Sequence, residues 1–130
     1  NEKELHKIVQ GEDSLEQKAE WLFQQGIKNV IVTLGAKGCY LKNEEYHMYF
    51  NAAPFEPQDT TGAADSFIAA FAVAISEGKD ILSAIVFATY AAGISVSRLG
   101  AQPSMPDRTA IDLYKAEIME KIAEIKKELY

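Results

Sequence analysis

Cysteine is almost absent: Cys39 is the only one in 130 residues. A single thiol forms no intrachain disulfide and no cysteine-based metal centre. Cys39 lies in an apolar, strand-like run and reads as a small core residue. Positive charge is also in short supply, with 13 Lys and Arg against 19 Asp and Glu, a net charge of -6. No basic cluster offsets that balance, which argues against a nucleic-acid backbone as the main partner. An anionic ligand would be held by local N–H groups and a metal, not by bulk charge. The longest apolar stretch, around Ile81 to Val96, is broken by Ser, Thr and Gly and is short for a membrane span. No secretory leader pattern appears, so a cytoplasmic location is the default expectation. There are only two histidines; His47 has no partner in sequence and reads as an exposed strand residue, not a metal ligand. Internal repeats and low-complexity segments are lacking too.

What is present suits a soluble globular domain with a real hydrophobic core: 48% apolar and 25% charged residues are ordinary proportions. A helical pattern begins at once, with no Met before Asn1, so the sequence reads as a piece of a longer polypeptide. Residues 2–9 form a short helix with Leu5, Ile8 and Val9 on one face. Asn1 is its N-cap and Glu4 its third residue, close to a capping box. Ser14 and Gln17 open a second helix, Leu15 to Gln25, which Gly26 ends. Ile27 to Leu34 is a β-branched run with the look of a buried parallel strand. Helix, short turn and buried strand together indicate an α/β layer fold. The strand runs into Thr33-Leu34-Gly35-Ala36-Lys37-Gly38, and glycines just past such a strand end mark the usual ligand edge of an open α/β sheet. G-x-x-G alone is only a turn. Cys39–Leu41 and Tyr46–Phe50 read as two strands across an Asn43-Glu44-Glu45 turn. Residues 51–58 hold two prolines and are extended.

The most informative stretch is DTTGAADSFIAAFAVAISEG, Asp59 to Gly78. It opens with small and polar residues, then turns apolar, with Phe67, Phe71, Ala74 and Ile75 at helical spacing and Gly78 as a stop. A loop therefore enters a helix. A helix start carries unpaired N–H groups and partial positive charge, and small residues let an anion such as phosphate approach them. Asp65, just inside that turn, is not needed to bind an anion and fits a base beside one. An Asp in a first turn also simply complements the helix dipole. The residues alone leave both readings open. Asp80 then caps a helix running through Ile81–Leu99, rich in small residues, with Ile85, Ala88, Ala92 and Val96 on one face. That face packs in the core or against a flat ligand. Asp107 caps a final amphipathic helix, 107–129, with Ile111, Tyr114, Ile118, Ile122, Ile125 and Leu129 as its buried stripe.

D-T-T-G-A-A-D-S-F closely resembles the C-terminal signature of ribokinase-like, or PfkB-type, sugar kinases, D-T-x-G-A-G-D-x-F. Three weaker matches follow the family's order: N-x-x-E at Asn1 and Glu4, T-L-G-x-x-G at Thr33, Gly35 and Gly38, and G-A-x-x-S-x-P at Gly100, Ala101, Ser104 and Pro106. The resemblance implies a ribokinase-like three-layer, Rossmann-like α/β sheet with flanking helices, of which residues 1–130 are the C-terminal nucleotide-binding portion. The sugar-binding and lid portion would lie before residue 1. It implies phosphorylation of a sugar hydroxymethyl group by ATP. Asp65 would be the base, and the N–H groups of Gly62, Ala63 and Ala64 the anion hole. Asn1 and Glu4 would order the water shell of Mg²⁺, and Thr33, Gly35 and Gly38 would contact the nucleotide. A monovalent cation such as K⁺, bound in several members, would take oxygens from Asp59, Thr61, Ser95, Arg98 through its carbonyl, Gly100 and Ser104. The partners implied are ATP and a small sugar, with dimer contacts through the lid.

One position departs from the family pattern: Ala64 stands where Gly is usual. A positive φ there would make Ala cost about 1 kcal/mol or more, and an ordinary φ would make it cost little. Other readings give the chain different roles. A nucleotide-binding module without turnover would bind ATP and transfer nothing. A relative could act on a nucleoside or vitamin precursor. An unrelated α/β domain would show no sheet edge gathering Thr33, Gly35 and Asp65.

Overall fold

Direction reverses twice between Asn29 and Phe50, and those reversals decide the sheet. The computed structural model describes residues 1–54 and 62–97. Two compact units divide the chain, Asn1–Ala52 and Ala53–Tyr130, and each is described by itself.

The first unit begins with α1 (Glu2–Ile8) and α2 (Leu15–Gln24). Both start on the capping boxes their sequences suggest. Asn1 Oδ1 accepts from Glu4 N at 2.9 Å, and Ser14 Oγ accepts from Gln17 N at 3.2 Å. A Schellman pair closes α2, with Gly26 N donating to Phe23 O at 3.0 Å and Ile27 N to Leu22 O at 3.4 Å. Strands β1 (Asn29–Thr33), β2 (Cys39–Asn43) and β3 (His47–Phe50) follow, with a 3₁₀ turn at Gly35–Lys37 between the first two.

The sheet corrects one expectation. Among the described residues β1 has no parallel neighbour: it pairs antiparallel with β2, Val32 facing Tyr40, in a sheet ordered β1-β2-β3. The short 3₁₀ turn explains this, because so brief a link can only return the chain alongside itself. Burial along β1 alternates, with Val30 and Val32 buried and Asn29 exposed, as expected of a strand with one covered face. Leu5, Val9, Ala19, Val30, Val32 and Tyr40 form the core beneath that face. Cys39 and Leu41 are fully buried as well. Asn43 turns the second hairpin: its Oδ1 accepts from Glu45 N at 2.9 Å and Tyr46 N at 2.6 Å, while its Nδ2 donates to Asn29 Oδ1 at 3.0 Å.

The second unit pairs α3 (Ala63–Ser76) with α4 (Ile81–Val96). Gly78 N donates to Ile75 O at 3.0 Å and Lys79 N to Ala74 O at 3.1 Å, a second Schellman pair. Asp80 then caps α4, accepting from Ser83 N at 2.8 Å. Phe67, Ala70 and Ala74 are buried along α3 and Phe71 is half-buried. Ile75, expected on the same stripe, is 44% exposed. At 3.6 residues per turn it lies about 80° round the helix from Phe67, at the flank of the stripe. Most of α4 is buried, including Ile85, Ala88 and Ile94. Its small residues therefore serve close packing. Residues 55–58 of the extended stretch expected over 51–58, and the final helix expected over 107–129, lie outside the described residues.

Candidate active site

The start of α3 has the features of an anion site. Gly62 is its N-cap, with φ 84 and ψ −4, the left-handed region, and no side chain caps the helix. Among the described residues, every other helix of more than three residues is capped at its start by its own Asn, Ser or Asp side chain. The N–H groups of Ala63, Ala64 and Asp65 thus open the helix with no side-chain cap. Their partial positive charge is not offset by a capping oxygen. Asp65 is the one acidic residue of this first turn and is exposed.

Ala64 is the second residue of α3. Among the described residues, only glycines have positive φ. Its backbone is therefore ordinary, and the left-handed position that this loop requires falls on Gly62 instead. In conformational terms the substitution of Ala for Gly costs little, and a helical position favours Ala.

Thr33 and Leu34 lead from β1 into the Gly35–Lys37 turn, where Gly35, Ala36 and Lys37 are exposed. Lys37 is solvated, as expected. Gly38 has a structural demand of its own. Its φ is +96, and a Cβ there would sit 1.7 Å from the Phe50 carbonyl oxygen. The fold requires glycine at that position whether or not a nucleotide contacts it. Thr33, Gly35 and Gly38 belong to the first unit and Gly62–Asp65 to the second.

Asn1 and Glu4 are exposed and joined in the α1 capping box, with Asn1 N donating to Glu4 Oε2 at 2.7 Å. Ser95 is fully buried in the last turn of α4. Asp59, Thr61, Arg98, Gly100 and Ser104, the other oxygens expected around a monovalent cation, lie outside the described residues. Among the described residues no three His, Cys, Asp or Glu side chains come together to hold a metal. No helix among them is long and apolar enough to cross a membrane.

Two polar features were not legible in sequence. Lys18 is buried and donates from Nζ to His6 Nδ1 at 2.8 Å, tying α2 to α1. Only the spacing of His6 on α1 and Lys18 on α2 hinted at it, and spacing between helices is not readable without their crossing. The second is Ser66, buried in the first turn of α3 with a hydroxyl that has no hydrogen-bond partner among the described residues.

A helix start with no capping side chain and a carboxylate in its first turn is the kind of place where proteins hold phosphate. The sequence profile of pfkB family carbohydrate kinases matches residues 1–108, and the chain belongs to that family. It is 45% identical over 83 residues to ribokinase from Bacillus subtilis, covering 64% of this chain and 28% of that protein. With ribokinase from Arabidopsis thaliana it shares 37% over 117 residues, 85% of this chain and 31% of the relative. The chain thus spans about a third of the length of these curated relatives. The crystal structure of ribokinase from Thermotoga maritima superposes with a TM-score of 0.84 at 45% identity, over 89% of this chain and 40% of that one. Arabidopsis thaliana ribokinase complexed with ribose and ATP gives 0.78 at 38% identity, over 87% of this chain and 38% of that one. The fold is a ribokinase-like α/β fold, of which these residues form part.

Proposed function

We propose that this chain is the nucleotide-binding and catalytic portion of a kinase that phosphorylates a sugar hydroxymethyl group with ATP. The observation that carries this reading is the start of α3: a left-handed Gly62, no capping side chain, and Asp65 exposed one turn in. Family membership supports it, as does the relative bound to ribose and ATP.

Asp65 takes the proton of the attacking hydroxyl as that oxygen bonds to the terminal phosphorus of ATP. The N–H groups from Gly62 to Ala64 stabilise the charge that develops on the phosphoryl oxygens, and ADP leaves. Positioning and charge stabilisation do most of the work in such transfers. Thr33, Gly35 and Gly38 lie along the nucleotide. Mg²⁺, when bound, neutralises phosphate charge. Asn1 and Glu4 are exposed and would offer oxygens to the water shell of such an ion. A monovalent cation such as K⁺ at Asp59, Thr61, Ser95, Arg98, Gly100 and Ser104 would set the loop geometry. Fully buried Ser95 suits a structural oxygen more than a substrate contact. The parent protein is cytoplasmic, dimerises through its lid portion, and needs neither nucleic acid nor membrane.

Residues 1–130 alone bind ATP weakly and turn nothing over, because the sugar side of the cleft comes from elsewhere. Calorimetric titration with ATP and a coupled assay for ADP release test this. Weak binding without sugar-dependent ADP is expected, and robust sugar phosphorylation by these residues alone would refute it.

A further inference from the structure

Ser66 is only 5% exposed, and its Oγ has no hydrogen-bond partner among the described residues. Buried hydroxyls without partners are few in native proteins, and each one needs an account. A helical serine or threonine commonly returns its hydroxyl to a carbonyl one turn back. Three others in this chain do so: Ser76 to Val73 O, Thr89 to Ile85 O and Ser97 to Ile94 O, each at 2.7 Å. Ser66 does not, although the Gly62 carbonyl one turn back accepts Ser66 N at 2.9 Å.

The direction of the side chain follows from helix geometry. Each Cα–Cβ bond tilts toward the helix N-terminus, so the Ser66 side chain leaves α3 on the side of the Gly62–Ala63 turn. It lies on the buried side of that turn, while Ala64 and Asp65 are on the exposed side. Two independent features thus meet at one helix end: N–H groups with no side-chain cap, and a buried hydroxyl with a hydrogen bond to give.

We infer that Ser66 is a positioning residue for a bound polyphosphate, its hydroxyl donating through a water to a phosphate oxygen held at the start of α3. This rests on the nucleotide-binding reading above. Ser66 does not meet the reacting atoms, and Asp65 keeps the proton transfer. A bridging water serves nearly as well as a direct bond. The hydroxyl gains its partner only when the anion is present, so it adds to phosphate affinity and nothing to the ligand-free fold.

The test uses the 130-residue chain, isotope-labelled for amide NMR, as wild type, Ser66→Ala and Ser66→Thr. Each is titrated with ATP plus Mg²⁺ and, separately, with adenosine, and its thermal midpoint without ligand is recorded. Ser66→Ala is expected to keep or raise the ligand-free midpoint, to weaken ATP about 5-fold, the loss of roughly one hydrogen bond, and to leave adenosine unchanged. Ser66→Thr should restore ATP affinity. Wild-type amide shifts at Gly62–Asp65 with equal ATP affinity in Ser66→Ala would overturn the role of Ser66 and leave the nucleotide reading intact. A lower ligand-free midpoint, or loss of the fold, in Ser66→Ala would also overturn it, by giving the hydroxyl a partner within the protein. Absence of ATP-induced shifts at Gly62–Asp65 in the wild type would overturn both.

Discussion

Gly62 and Ala64 stand two residues apart and carry opposite demands. Gly62 sits at φ 84 as the N-cap of α3, while Ala64 lies inside the helix. Gly62→Ala should therefore cost about 1 kcal/mol or more, the usual penalty for a side chain in the left-handed region. Ala64→Gly, which restores the usual family residue, should lower stability by up to about 1 kcal/mol and leave ATP affinity unchanged. Denaturant unfolding of the two variants checks both signs. Tighter ATP binding in Ala64→Gly would show that the alanine methyl obstructs the anion. Burial pushes the Cys39 thiol up to about 12. It should resist alkylation at neutral pH until the first unit opens, and mass spectrometry after iodoacetamide treatment reports this. At the surface, Tyr49 donates a hydrogen bond to Glu16, which holds the Tyr49 hydroxyl up at about 12 and the Glu16 carboxyl below its ordinary value. A depressed carboxylate stabilises the fold above its unfolded pKa, and that contribution is lost as pH falls through its folded value. Tyr49→Phe should return the Glu16 titration midpoint toward the ordinary glutamate range and remove that small acid dependence, as NMR titration would show.

Element boundaries were largely legible, because caps and stops are local chemistry. Asn1, Ser14 and Asp80 open the helices their side chains suggest, and Gly26 and Gly78 follow the ends of α2 and α3. Strand partnership was not legible. The β-branched run at Asn29–Thr33 looks the same in parallel and antiparallel ladders, and only the brevity of the Gly35–Lys37 turn decides between them. Gly38 shows a further limit of motif reading. Its place in T-L-G-x-x-G suggests ligand contact, yet the Phe50 carbonyl already excludes any Cβ. Gly38→Ala should therefore unfold or severely destabilise the first unit, by more than the roughly 1 kcal/mol of backbone strain alone. Circular dichroism melting of that variant checks this, and a midpoint close to wild type would contradict the crowding at Phe50. The exposed flank of α3, with Ile68 at 65% and Ile75 at 44%, likewise escaped the sequence. A period of 3.6 locates a stripe but not its width.

For the whole molecule, the motif order carried most of the inference. The specific signature at Asp59–Phe67 pointed to the family, and the match over residues 1–108 agrees with it. Composition contributed exclusions only, since a net charge of -6 bears on partners and not on fold. The candidate site was legible where it depends on backbone at a helix start. The burial of the Ser66 hydroxyl was not legible, because burial belongs to the fold and not to a motif. The central claim is that Asp65 is the base of a sugar kinase. The most direct measurement is ATP consumption by the full-length protein across a panel of sugars, with and without Asp65→Asn. Sugar-dependent turnover that falls about 10²–10⁴-fold in the variant, the usual worth of a general base, with ATP binding retained, is the expected result. Equal turnover in Asp65→Asn, or ATP binding without turnover on any sugar, would contradict it.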